Sequence, residues 1–328
     1  MKFLKVLIGC AAALGLSTAS IAQSDDEQAE QPPLSSKTFD AFKLRNIGPA
    51  FMSGRIADIA IVQDDPATWY VAVGSGGVWK TENAGTTWTS LFEGQGAYSI
   101  GSLGLDPSDP NRVWVGTGEN NGGRHIGFGD GIYKSDDGGK NWENMGLKTS
   151  EHISKIIVHP EDPDTVWVAS QGPLWSPGGE RGVFKTTDGG KTWNNVLASG
   201  EYTGATDLLI DPRDPDRLYA AMWQHQRTVA AYVGGGPESG LWKSEDGGET
   251  WTELKTGLPE GNMGKIGMAI SPMRPMSCTQ RLKRTGAPAG FTVQPIAARA
   301  GKRCRTRWAR APARIIIRNC MPVRTSST

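Results

Sequence analysis

The sequence predicts an all-β fold in which a four-stranded antiparallel sheet recurs along the chain. Three observations predict it. An eight-residue pattern ending in Trp occurs four times, over residues 81–88, 135–142, 186–193 and 244–251, with its tryptophans 54, 51 and 58 residues apart. Each copy lies among short runs of β-branched and aromatic residues divided by Pro, Gly and Asp turns. A fixed period of this size marks stacked supersecondary units that bury their apolar faces against one another. Four short strands per unit make a blade, and blades repeated about an axis make a β-propeller.

The elements follow in order within each unit. A first apolar run ends in a Pro turn, at 103–107, 156–160 and 208–212, and a second Pro follows at Pro110, Pro163 and Pro215. A second run is short and β-prone (113–115, 166–168, 218–220). A third opens on Gly and closes on Lys (77–80, 131–134, 182–185, 240–243), and the residues after the repeated Trp start a fourth. Between third and fourth strands, Asn83, Asp137, Asp188 and Asp246 are placed to accept hydrogen bonds from the backbone of the turn. Gly139 and its counterparts allow a positive φ there. Trp88, Trp142, Trp193 and Trp251 supply an apolar face with one N–H to satisfy. A residue repeated in every blade serves the blade, whereas an active site occurs once, so these carboxylates read as structural.

The pattern S/T-x-D/N-x-G-x-T/S-W resembles the Asp-box, or BNR repeat, of sialidases, xyloglucanases and sortilin-type ectodomains, with Asn141 the one departure from the usual Thr or Ser. The strings at 46–50, 116–120 and 264–267 look like those of large bacterial exported propeller proteins labelled glycosyl hydrolase or sortilin-like. The resemblance covers roughly 40–275. It implies the propeller fold and either recognition of a peptide or glycan, or glycoside hydrolysis. Sialidases, by that resemblance, need three arginines, a Tyr nucleophile and a Phe/Tyr-Arg-Ile-Pro signature, which the sequence at 45–49 does not match. Xyloglucanases use two Asp across a two-propeller cleft.

Strand order places the binding loops. The repeated turns and the Pro-rich turns share one face, so the second-to-third and fourth-to-first connections emerge on the other. The second-to-third connection is tight in the first unit and long in the next three (116–130, 170–181, 222–239), and long loops on a rigid scaffold are where binding concentrates. Their ligand-binding candidates are Asn120, Arg124, His125, Trp175, Arg181, His225 and Arg227; Glu119 and Glu180 are candidate carboxylates for glycoside hydrolysis, which needs two acids. Two loop histidines without a third ligand give no metal site, and no cofactor or phosphate-binding motif is present. His159 takes a turn position held by Asp106 and Asp211 in sister units, and 234–237 reads as a flexible glycine loop.

The two ends differ from the repeats. Residues 1–22 read as a signal peptide, with Lys2 and Lys5 before an apolar run and Ser20-Ile-Ala22 at the cleavage site. The run is too short to span a membrane comfortably, so export without a stable span, to the periplasm or medium, is expected. Residues 23–37 read as a disordered acidic linker and 38–275 as a partial propeller. Residues 276–328 hold ten Arg, two Lys and no Asp or Glu, in a chain of net charge +1. A basic tail invites a nucleic-acid reading, but the period also dies here, just as a fifth unit begins.

A frame slip accounts for both. Joining the third base of each codon to the first two of the next, residues 288–302 can read GGFYRSTNRGASWE, a fifth box about one period past Trp251. The same shift lets residues from Pro275 onward read DVVYAAIE, a strand in the expected place. The tail is therefore expected to be non-native, the parent protein longer, and nucleic acid no partner. Cys10, Cys278, Cys304 and Cys320 all fall in the leader or the tail, so no disulfide framework follows. The leading expectation is an exported binding scaffold for peptide or glycan, and the alternative a glycoside hydrolase.

Overall fold

A computed structural model describes residues 54–270, 277–284 and 290–295, the last two segments as backbone strands. The leader, the linker, residues 38–53 and most of the basic tail lie outside the described residues. Every described regular element is a strand, and no helix among them is long and apolar enough to cross a membrane.

The strands group as the repeats require. The first blade is β1 (Ile56–Ile61), β2 (Trp69–Val73), β3 (Gly77–Thr81) and β4 (Thr89–Ser90), paired in that order. The second is β5 (Ile100–Leu105), β6 (Val113–Thr117), β7 (Ile132–Ser135) and β8 (Glu143–Asn144), and the third is β9 (Ile153–Val158), β10 (Val166–Ser170), β11 (Gly182–Thr186) and β12 (Asn194–Leu197). The fourth begins with β13 (Thr203–Asp211) and β14 (Asp214–Gln224) and inserts β15 (Gln226–Arg227), β16 (Tyr232–Val233) and β17 (Gly235–Gly236). It then completes with β18 (Gly240–Ser244) and β19 (Thr252–Leu254). A further sheet has the order β17-β20-β21-β22, with β20 (Met263–Ile270), β21 (Ser277–Arg284) and β22 (Gly290–Pro295). All pairings are antiparallel.

One sequence expectation needs correction. The glycine run at 234–237 is not a free loop, because Gly235 and Gly236 pair with Gly264 and Met263 at the edge of β20. A Cβ on Gly235 would meet the Met263 carbonyl oxygen at 2.5 Å, so the absence of side chains is what lets the two backbones approach.

The repeated turn is one hydrogen-bonded device used four times. In the second copy, the buried Ser135 hydroxyl accepts from the Gly139 amide (2.8 Å) and donates to Asp137 (2.8 Å), and Asp137 accepts from the amides of Lys140 and Asn141 (both 2.9 Å). Thr81, Thr186 and Ser244 repeat the hydroxyl's role on Gly85, Gly190 and Gly248. The hydrogen bonds hold the carboxylates ionised. The Asn141 amide and side chain hold Asp137 at about 2, and the Thr250 hydroxyl and amide hold Asp246 at about 2. The turn is also tied to the Pro-rich turn of its own blade: the amides of Ala84, Gly138, Gly189 and Gly247 donate to the carbonyls of Ala67, Asn111, Asp164 and Asp216. These two turns therefore share a face, as strand order predicted. His159 keeps the turn role of its sisters, since its Nδ1 accepts from the amides of Glu161 and Asp162 as Asp106 accepts from Ser108.

The core lies between blades. Tyr70 of β2 packs with Ile100 and Leu103 of β5, Trp114 of β6 with Ile153 and Ile156 of β9, and Trp167 of β10 with Ala205 and Leu208 of β13. Each second strand thus offers an aromatic to the first strand of the next blade. The Trp167 indole also donates to the Gly247 carbonyl two turns on (3.0 Å). Trp142 and Trp193 reach back the other way, donating to the Leu91 and Met145 carbonyls of the preceding blade (both 2.8 Å). Trp88 and Trp251 instead donate within their own turns, to Gly85 and Gly248 (both 3.0 Å).

Candidate functional site

The long connections form a continuous loop face, but most of its polar side chains hold the loops together. Arg181 is buried and caps its own loop: it donates to the carbonyls of Gly178 and Gln171 (both 2.7 Å), Ser176 (2.8 Å) and Pro173. Burial pulls its pKa down to about 10, with Glu151 opposing. This is a scaffold role, not a free ligand contact as the sequence reading had it. His225 is likewise buried, stacked 4.2 Å from Trp223, and desolvation holds it neutral with a pKa of about 3. Arg227 donates to the Gly122 carbonyl (3.0 Å through Nε) and lies 4.3 Å over the Tyr232 ring. Arg124 donates to the Val229 carbonyl (3.0 Å), so the second and fourth blades' loops are latched at two points.

The candidate carboxylates are held by different partners. Glu119 is buried and paired with Arg55, whose Nη1 also donates to His125 Nε2 (3.0 Å), while the Ser75 hydroxyl donates to its other oxygen (3.2 Å). Glu180 accepts from the amide and hydroxyl of Thr149 (2.8 and 2.9 Å) in the third blade's loop. The two share none of these partners.

Beneath the loops, β1, β5, β9, β13 and β20 line a polar cavity of about 500 Å³. Its charged residues are Asp58 of β1, Lys155 of β9, Asp207 of β13 and Lys265 of β20, with Ser154, Thr206 and Asn120 between them. Asp58 lies 3.6 Å from Lys155 and accepts from the Leu103 amide of the next blade (3.1 Å). Asp207 does the same one sheet on, accepting from the Met268 amide (2.7 Å); desolvation raises its pKa against that bond and Lys155. Lys265 donates to the carbonyl (3.0 Å) and side-chain oxygens of Asn120 and sits 5.3 Å over the Trp223 ring. Desolvation lowers its pKa to about 8, against the pull of Asp207. Asn120 also reaches the Ser154 and Thr206 carbonyls (both 3.4 Å), so it joins three blades' inner strands.

Sequence reasoning selected Asn120 but passed over Asp58, Lys155, Asp207 and Lys265. The available signal was a lone charged residue in an otherwise apolar first strand, repeated at like positions in different units. The exposed aromatics of this face are Tyr98, Phe128 and Trp175, on connections between strands or blades, and Tyr232, on the inserted strand β16. Among the described residues no group of three or more His, Cys, Asp and Glu is arranged to hold a metal ion.

Comparison with known proteins agrees on the fold. The family model described as "Sortilin, neurotensin receptor 3" (Sortilin-Vps10) matches residues 130–283. A xyloglucanase of a Paenibacillus species is 22% identical over 284 residues, covering 78% of this chain and 26% of that protein. The chain thus spans about a quarter of the length of the curated relatives it matches. Among solved structures, an ancestral GH74 enzyme superposes with a TM-score of 0.54 at 16% identity, covering 73% of this chain and 31% of the enzyme. The GH74 enzyme of Niastella koreensis gives 0.53 at 22%, covering 74% and 36%. The chain has the propeller-type all-β fold of these structures.

Proposed function

We propose that the chain is an exported propeller scaffold that binds a glycan, or a peptide of similar extended shape, across its loop face. The observation that carries this is the exposure of Tyr98, Phe128, Trp175 and Tyr232 on the connections of one face, above a cavity lined by amide, hydroxyl, ammonium and carboxylate groups. Aromatic faces stack on sugar rings or on the apolar side chains of a peptide, and a few polar groups below fix orientation. The xyloglucanase relatives favour the glycan. Export rests on the N-terminal segment. The test is calorimetric titration with xyloglucan oligosaccharides, unbranched gluco-oligosaccharides and extended peptides, repeated with Trp175→Ala. Saturable binding weakened about tenfold by the substitution is the expected result, at about 1.4 kcal/mol. Binding to none of these ligands sinks the reading.

The second reading is a glycoside hydrolase, favoured by the names of those relatives. Hydrolysis needs two carboxyl groups at a set separation with one side open to the sugar. Here Glu119 is engaged by Arg55 and Ser75, and Glu180 by Thr149. Reducing-sugar release from xyloglucan separates the readings. Turnover lost in Glu119→Gln or Glu180→Gln with binding retained establishes the enzyme; no turnover in the parent chain, with binding, leaves the scaffold.

A further inference from the structure

We propose that the cavity beneath the loops reads a carboxylate: the sugar it seats is a uronate, with its acid group on Lys155 and its hydroxyls on Lys265 and Asp207. This rests on the glycan reading above and names the class of sugar. The first strands of the four blades align residue by residue, because each has a one-residue irregularity at the same place in its pairing with the second strand. The position just after it holds Asp58, Ser102, Lys155 and Asp207. In two blades an Asp there performs the same structural task. Asp58 accepts from the amide of Ile59 (3.0 Å) and from that of Leu103 in the next blade (3.1 Å). Asp207 accepts from the amides of Leu208 (2.9 Å) and of Met268 in the next sheet (2.7 Å). Each carboxylate staples its own strand to the one that follows. Lys155 cannot, because an ammonium has no lone pair to offer an amide. The Leu208 amide, which an Asp in its place would hold, bonds to Asp207 instead. Lys155 thus departs from the repeat at a position whose repeated role is structural, and it lines the cavity.

The bonds of the cavity wall leave mainly donors open. Asp58 also accepts from the Ser102 hydroxyl (3.1 Å), and Lys155 stands 3.6 Å from it, beyond hydrogen-bond length. Asn120 is engaged by Gln171, Lys265 and the carbonyls of Ser154 and Thr206. The Ser154 and Thr206 hydroxyls are aimed at backbone carbonyls. Lys265 has two of its three N–H groups on Asn120. The groups left for a ligand are the Lys155 ammonium, the third N–H of Lys265 and the further lone pairs of Asp207. A carboxylate takes charge-assisted hydrogen bonds roughly twice as strong as those of a neutral hydroxyl. A uronate brings, on one ring, that carboxylate and hydroxyl donors for Asp207, whereas a peptide terminus brings its carboxylate with a single amide. The cavity volume of about 500 Å³ lies within the range of ligand pockets.

The test is calorimetric titration of the 328-residue chain with cellotetraose and with its C6-oxidised form, which differ only in the carboxylates. The oxidised form is expected to bind about tenfold more tightly, with the advantage shrinking as salt is raised. Lys155→Met should abolish the preference without weakening the neutral oligosaccharide, and Lys155→Arg should keep most of it. Equal or tighter binding of the neutral form by the parent chain overturns the inference and leaves the glycan reading standing. So does Lys155→Met weakening both forms alike. The comparison in the parent chain stands whether or not the variants fold. Binding of extended peptides with a free C-terminal carboxylate, and of neither oligosaccharide, overturns the uronate and makes a peptide the ligand. Binding of none of these sinks the inference together with the reading it rests on.

Discussion

The face of repeated turns and the face of long loops use the same kinds of residue to opposite ends. On the turn face each copy repeats one set of bonds: hydroxyl to glycine amide, Asp or Asn to the amides four residues on, turn to the Pro-rich turn of its blade. On the loop face no two connections are alike. Arg181 closes one loop on itself, Arg124 and Arg227 latch two others, and Glu119 is held by Arg55 from a neighbouring blade. Repetition marks what every blade needs in order to fold. Singularity marks either a local packing solution or a function, and only geometry separates the two.

The comparison can be broken by perturbing each face. The largest effect is expected at the loop face on acidification. His152 and His225 are buried with pKa values of about 4 and 3, depressed mainly by desolvation. A depressed folded-state pKa gives stability that is fully present above the unfolded value and lost as pH falls toward the folded one. Urea midpoints should therefore drop between pH 6.5 and 4.5 by the equivalent of about 2–3 kcal/mol for each histidine. His225→Gln should flatten part of that slope, and an unchanged slope would sever the link. Next in size is Arg181→Met, which leaves four loop carbonyls without their donor and should cost about 2–3 kcal/mol by urea denaturation. On the turn face, Ser135→Ala removes a buried hydroxyl that serves both Gly139 and Asp137, and a loss of about 1 kcal/mol is expected. Trp175→Ala should leave stability within about 0.5 kcal/mol, since the ring is exposed. A large loss there would make Trp175 part of the frame and remove it from the binding face.

The same contrast explains how much was legible beforehand. The blades, their order and the sharing of a face by the two turn types follow from the repeat and from strand order, and the structure has them. The repeated Asp and Trp positions read as structural because they recur, and each of these Asp accepts from the amide four residues on. The loop face was legible as a place but not in its wiring. Nothing in the sequence at 171–181 says that Arg181 turns back onto its own loop carbonyls. His225 looked available because its flat contact with Trp223 depends on how β14 and β15 turn against each other. The charged residues of the cavity were hidden for another reason. Asp58, Lys155, Asp207 and Lys265 are far apart in sequence, and their nearness exists only once the first strands converge.

The indoles of Trp142 and Trp193, each bonded to the blade behind, carry a consequence for how the ring is counted. The first two junctions between neighbours repeat this bond head to tail, whereas at the third Trp251 bonds within its own turn and Trp167 donates across instead. The number of blades is then fixed by rotation alone, at the point where the last unit meets the first and no free face remains. Until that meeting, a chain leaving the ribosome carries two complementary surfaces that recognise each other at any length.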